Sequence, residues 1–508
     1  PVSGALSVSD NLFTRFVAAA SDPGKAFLRP PGAPAISYGE AFKRAAQFAH
    51  VLTRHGLAPG DRVAVQTEKS PAALILYLAC LRAGLVYLPL NTGYTPSELA
   101  YFVQDATPKL FVAAEKNVSA IAAAVPPIEF LTLSDDGLAG SLIDEAEGAP
   151  RGFPDSAVGM NDLASILYTS GTTGRSKGAM LSHGNLHSNA ASLKEAWGFS
   201  ANDVLLHALP IFHIHGLFVA TNVTMLSGAS MLFLPKFEPD AVFAALPDAT
   251  AMMGVPTFYT RLLKDPRLSP QTTGHMRVFI SGSAPLLPET FRDWQTRTHH
   301  TLLERYGMTE TNMNSSNPYK GERIAGSVGF PLPGVEIRIA DSEGRALPQG
   351  EIGMIEVRGP NVFQGYWNMP EKTAAEFRKD GFFITGDMGM IGPDGYLRIV
   401  GRGKDLIITG GLNVYPREIE ALLDDVPGVE ESAVVGLPHE DFGEGVTAFI
   451  IARDGAALTE EQIQESLRDR LARFKQPKRV LFLKALPRNT MGKVQKAALR
   501  AEYKDLYR

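Results

Sequence analysis

The chain predicts an α/β protein: a large part in which mostly parallel sheet alternates with helices, then a smaller β-rich unit, then a compact α+β tail. Three observations carry this. Short apolar runs suited to buried strands recur at 63–66, 85–90, 164–168, 204–209, 231–234 and 278–280, with helical stretches between them. After about residue 325, Gly and Pro become frequent and short strand patterns dominate, at 336–339, 354–358 and 396–400. Beyond the charged passage Gly401-Arg402-Gly403-Lys404, two helix signatures lie close together.

In chain order, residues 72–83 read as a buried helix and 85–90 as the strand after it. Arg82 interrupts this apolar stretch, and no charge-free run reaches the ~20 residues that cross a bilayer. Thr95-Pro96-Ser97-Glu98 opens the next helix, with a capping hydroxyl, a proline in the first turn and a carboxylate at the third position. In the tail, Pro416 to Glu420 opens one helix. Thr459 and Gln462 have capping-box spacing and open another, with Ile463, Leu467 and Leu471 on one face. The main boundary falls at 401–405, and no internal repeat or low-complexity tract is visible.

Composition narrows the function. The 508 residues carry 49 Lys and Arg against 54 Asp and Glu, a formal charge of −5, which excludes a protein held to nucleic acid by bulk charge. The single cysteine, Cys80, excludes an internal disulfide framework or a Cys-rich zinc site. The first thirty residues lack a basic start followed by an apolar block. A cytoplasmic location is the expectation.

The strongest motif is Tyr168-Thr169-Ser170-Gly171-Thr172-Thr173-Gly174-Arg175-Ser176-Lys177-Gly178. Its glycines let backbone N–H groups approach an anion, and its hydroxyls and Lys177 add donors, which suits a polyphosphate. The Walker spacing is absent. Gly174 to Gly178 matches the hydrolase elbow G-x-S-x-G, but that turn needs a strand running directly into it, and residues 169–173 intervene.

Further motifs follow in order: Ser281-Gly282-Ser283-Ala284-Pro285-Leu286, Glu304-Arg305-Tyr306-Gly307-Met308-Thr309-Glu310, Tyr366-Trp367, Phe382 to Asp387, Gly401 to Asp405, Gly410 to Pro416, and Pro487 to Lys493. With these the chain resembles the acyl-adenylate-forming superfamily of acyl-CoA synthetases, luciferases and peptide-synthetase adenylation domains. The resemblance implies a large N-terminal domain, 1–401, a hinge at 402–405, and a small mobile C-terminal domain, 406–508. It also implies the chemistry. A carboxylate attacks the α-phosphorus of ATP, and a thiol then displaces AMP from the acyl-adenylate.

By this resemblance Glu310 helps hold Mg2+, with Thr309 beside it, and Lys493 is the catalytic lysine at the α-phosphate. ATP is expected on Thr169, Ser170, Gly171, Thr172, Thr173, Gly174 and Lys177, and on Ser283, Ala284 and Pro285. Glu304, Arg305, Tyr306, Gly307 and Met308 continue that surface. Asp387 and Arg402 are expected at the ribose. Lys404 takes the hinge position. Gly411 leaves room for the thiol arm of coenzyme A, with Arg473, Lys475 and Lys478 as candidates for its phosphates or as a solvated basic face.

The acid is a separate question. A dicarboxylate needs a cation inside a small pocket, because an unpaired buried carboxylate costs several kcal/mol. Arg261 is the expected partner, with His213 and Ser281 adding hydrogen bonds and Met308 limiting depth; Arg277 and Arg323 are lesser candidates. His215, His299 and His300 read as structural or solvated. The surrounding segments look like those of malonyl-CoA synthetases. That resemblance implies malonate, or also methylmalonate, as substrate with ATP and CoA. The alternatives are another short or branched acid, or loading of a carrier protein. It also suggests a protein acetyltransferase acting on Lys493.

Overall fold

The computed structural model describes residues 10–169, 176–409, 412–439, 441–468, 470–471, 473–489 and 492–507. Two large sheets build the first part. One has the order Glu129–Thr132, Leu110–Ala113, Arg62–Gln66, Val86–Pro89, Leu163–Thr169 and Lys177–Ser182, parallel except for its last strand. The other runs parallel from Leu303–Met308 through Val278–Ser281, Ala251–Gly254, Val204–His207 and Ser230–Phe233 to Ala26–Arg29. Antiparallel strands close it at both edges.

The expected buried helix is Pro71–Ala83, capped by the Ser70 side chain and ended by Gly84 at φ +70. It is buried on almost every face, so it carries no amphipathic stripe. Thr95 caps Pro96–Ala106 with a reciprocal Glu98 bond, an arrangement contributing ~1 kcal/mol. Among the described residues no helix is long and apolar enough to cross a membrane.

The β-rich unit is an antiparallel sheet in the order Glu336–Ala340, Gly353–Arg358, Phe383–Ile391 and Leu397–Arg402. A short turn, Gly403–Asp405, leads out of it. The tail forms its own sheet around Val429–His439 and Gly443–Ala452, with Arg479–Phe482 added parallel. Pro416–Asp424 and Glu460–Leu467 pack their apolar faces on it. Leu471 joins the same core, although the helix has already ended.

Exposed ion pairs tie the tail to the large part: Lys264 to Glu430 at 3.3 Å, Arg292 to Asp425 at 3.2 Å and Arg453 to Glu289 at 2.5 Å. Pairs at such exposure hold little, so the tail is docked by weak contacts on this side.

Candidate active site

A cleft of about 1520 Å³ lies at the carboxyl ends of the parallel strands, where open α/β sheets place their ligands. The β-rich unit, Asn489 and residues 492–497 of the tail also line it. Three clusters of side chains meet there.

The first is Tyr306, Asp387 and Arg402. Asp387 and Arg402 sit opposite each other on neighbouring antiparallel strands, so their side chains meet: Nε of Arg402 is 2.7 Å from Asp387. The Tyr306 hydroxyl donates to the other Asp387 oxygen at 2.5 Å. Burial and the Asp387 charge hold the Tyr306 phenol well above its ordinary range.

The second cluster is centred on Glu310. Its carboxylate accepts from the Tyr366 hydroxyl at 2.9 Å, and that hydroxyl also lies 2.6 Å from Glu376. One phenolic proton thus serves two carboxylates. Lys177 completes the group, 3.3 Å from Glu376 and 4.0 Å above the Tyr366 ring. Burial raises the Glu310 carboxyl. Thr169 and Thr309 line the cleft beside it.

The third cluster is basic. Arg305 is 3% exposed, and its Nε and Nη2 have no partner among the described residues. Burial lowers it to about 9. Its guanidinium lies against Gly282, where an added Cβ would stand 2.3 Å from Cζ. His213 lines the cleft and is lowered to about 4, first by burial and then by Arg305 and Lys493. Behind it His215 is wholly buried, with Nδ1 3.2 Å from the Ser283 hydroxyl and Nε2 unpartnered among the described residues. Ser281 Oγ is likewise buried and unpartnered. Ser283 holds φ +72, a strained conformation for a residue with a Cβ, as occurs where loops meet ligands.

Around these clusters, Ala284, Pro285, Gly307 and Met308 line the same cleft. Gly307 has no room for a side chain, since a Cβ would lie 2.0 Å from the Asn312 carbonyl. Glu304 is buried and its carboxyl is raised to about 7 by burial; it accepts from the Leu286 N–H at 3.2 Å. Lys493 is lowered by burial and then by Arg402. Lys404 is lowered to about 8 by burial. Both face the cleft.

Several expected residues lie elsewhere. Arg261 is exposed and does not line the cleft. In the helix Pro256–Leu263, Thr257 and Thr260 face the cleft and Tyr259 and Leu262 face the core. Arg261, one helical turn after Thr257, stands at the exposed edge of the cleft-facing side. Arg305 does line the cleft, as do Lys177, Arg402, Lys404 and Lys493. Arg277 pairs with Asp203 at 2.6 Å, and Arg323 donates to backbone carbonyls, so neither is available. Arg473, Lys475 and Lys478 do not line the cleft; Lys475 pairs with Glu418 at 2.7 Å and Lys478 lies 3.6 Å over the Phe442 ring. Ser170, Gly171, Thr172, Thr173, Gly174 and Gly411 lie outside the described residues. Glu376 and His207 escaped the sequence reading, because neither stands in a motif.

Residues 16–367 match the model of the AMP-binding enzyme family, and residues 418–493 match that of the AMP-binding enzyme C-terminal domain. The chain belongs to the AMP-binding enzyme family. It is similar to MatB from Rhodopseudomonas palustris in its ATP-bound crystal form, at 58% identity and TM-score 0.97 over 98% of this chain and 100% of that one. The apo form of the same protein gives TM-score 0.85, so the arrangement here is nearer the ATP-bound one. A malonate–CoA ligase of Arabidopsis thaliana is 36% identical over 486 residues, covering 88% of this chain and 78% of that protein. A feruloyl-CoA synthase of an Amycolatopsis species is also 36% identical, over 477 residues, with 93% and 95% covered. Identity at this level does not separate a small diacid from an aromatic acid.

Proposed function

We propose that the chain is an acid–thiol ligase that joins malonate to coenzyme A at the expense of ATP, through a malonyl-adenylate. The observation that carries the choice of acid is the buried Arg305, whose Nε and Nη2 have no partner among the described residues. A guanidinium without a counter-ion in a low-dielectric pocket favours an entering carboxylate, and its Nε and Nη2 edge suits a bidentate pair. An aromatic or alkyl tail would leave that charge unpaired. The similarity to malonate–CoA ligases supports the same reading.

In the first step one malonate carboxylate oxygen bonds to the α-phosphorus and the bond to pyrophosphate breaks. Arg305, with His213 and Ser281, holds the far carboxylate. Asp387 and Arg402 hold the ribose, and Lys177 holds the outer phosphates after leaving Glu376. Lys493 neutralises the charge that develops between acid and phosphate. Glu310, with Thr309 beside it, would hold Mg2+. Among the described residues no three His, Cys, Asp or Glu side chains could cage a metal by themselves. That fits an ion bound by one carboxylate plus substrate phosphates, which would offset phosphate charge.

In the second step the CoA sulfur attacks the acyl carbon and AMP leaves with its phosphate. We assign residues 402–405 as the hinge about which 406–508 turns to carry Lys493 away, with Lys404 as its charged member and a protein acetyltransferase as a partner acting on Lys493.

The test is formation of AMP and acyl-CoA from a panel of acids. Malonate should be the best substrate, with methylmalonate next; turnover of butyrate or ferulate but not malonate would reject the reading. Gly282→Ala offers a finer check. The new methyl must displace the Arg305 guanidinium, and a shift near 1 Å costs on the order of 10²-fold in kcat/KM for malonate. An unchanged kcat/KM would remove Arg305 from the pocket's chemistry.

A further inference from the structure

Lys69 is 8% exposed and sits just before the helix Pro71–Ala83. Its ammonium donates to His207 twice, to Nδ1 at 2.8 Å and to the carbonyl at 2.8 Å, and lies 4.4 Å over the Phe233 ring. Among the described residues it makes no ion pair. A buried ammonium without a carboxylate is a poor device for stability, and a methionine of similar shape would pack there at less cost.

The geometry beyond His207 gives the lysine another task. The Gly216 carbonyl can only accept, so the imidazole proton of His207 sits on Nε2 and Nδ1 accepts from Lys69. That Nε2–H donates to the Gly216 carbonyl at 2.8 Å, which also accepts from the Thr221 hydroxyl at 2.9 Å. Gly216 lies in a π-helical turn, His215–Thr221, a form that leaves irregular carbonyls and recurs at functional sites. The turn is tight: a Cβ at Gly216 would stand 2.0 Å from the Pro210 carbonyl. His215 begins this turn, and its N–H donates to His213 Nδ1 at 3.3 Å.

We propose that Lys69 is a positioning residue for the acid pocket. It acts through His207 and the Gly216 carbonyl to fix the π-helical turn, and so sets His213 and His215 beside Arg305. The inference rests on the reading of that pocket as the acid site.

The experiment compares steady-state kinetics and melting temperature for the full chain and for Lys69→Met, His207→Gln and the double variant. Lys69→Met should raise KM for malonate about 10-fold or more, by analogy with residues that orient direct ligands, while KM for ATP stays within about two-fold. Its melting temperature should be unchanged or higher. His207→Gln keeps a donor for Gly216 but cannot relay the lysine, so adding Lys69→Met to it should cost little more. Fully additive losses would show that the lysine does not act through His207 and would overturn the proposal. So would an unchanged KM for malonate, or equal rises in both KM values together with a lower melting temperature. If Lys69→Met gives no soluble protein, the rise in KM for malonate in His207→Gln alone decides. Should the unmodified chain fail on malonate, the substrate assignment falls, and the same comparison is read on whichever acid it does activate.

Discussion

Arg305→Met should all but remove malonate activation while leaving the fold intact. Truncating one member of a buried, hydrogen-bonded charge pair costs about 2–5 kcal/mol. That corresponds to roughly 30- to 4,000-fold in kcat/KM. The partner in this case is the substrate, so the loss appears as catalysis and not as stability. Indeed the variant loses a buried cation whose Nε and Nη2 have no partner among the described residues, and its melting temperature should hold or rise. Short monocarboxylates, which bring no second charge, should be spared or improved. The measurement is malonate-dependent exchange of labelled pyrophosphate into ATP, set against the same exchange with propionate. Parallel losses on both acids would mean that Arg305 serves the nucleotide and not the diacid. Arg261→Ala is the control, and its exposed position predicts exchange within about two-fold of the unmodified chain.

Lys493→Ala should separate the two half-reactions. Removing one preorganised charge from the developing transition state costs about 10²–10³-fold in rate. Adenylate formation should fall by that factor, because the lysine lies in the cleft among Arg402, Asp387 and His213. Thioester formation from supplied malonyl-adenylate and CoA should survive, since it needs the lysine elsewhere. Single-turnover measurement of each step distinguishes them; equal loss in both would defeat the assignment. Acetylation of Lys493 removes the same charge and should reproduce the loss. An enzyme shown by mass spectrometry to be acetylated there, yet fully active in adenylation, would contradict it.

The partition between local pattern and folded arrangement is visible in single residues. Asp387 and Arg402 could be named from their motifs, and the sheet then places them opposite each other, fifteen positions apart in the chain. Capping at Thr95 and Thr459 was legible because its donors and acceptors lie within three residues. The face of a short helix was not. Arg261 has the right charge in the right segment, but the rotation of Pro256–Leu263 is fixed by the core contacts of Tyr259 and Leu262. The contacts of the basic candidates in the tail were equally hidden, since Glu418 and Phe442 engage Lys475 and Lys478 from other segments.

By itself, then, the order of residues determined the class of reaction and the layout of sheets, because apolar period, helix caps and anion-binding loops are local properties of the chain. Only the tertiary structure decided which arginine is buried in the cleft and which residues stand behind it. Arg305 and Arg261 are chemically equal in sequence. Burial against Gly282 and the closing of His207 on Gly216 are contacts between distant segments, and desolvation, which makes Arg305 a buried cation and leaves Arg261 a surface charge, exists only once those segments have met.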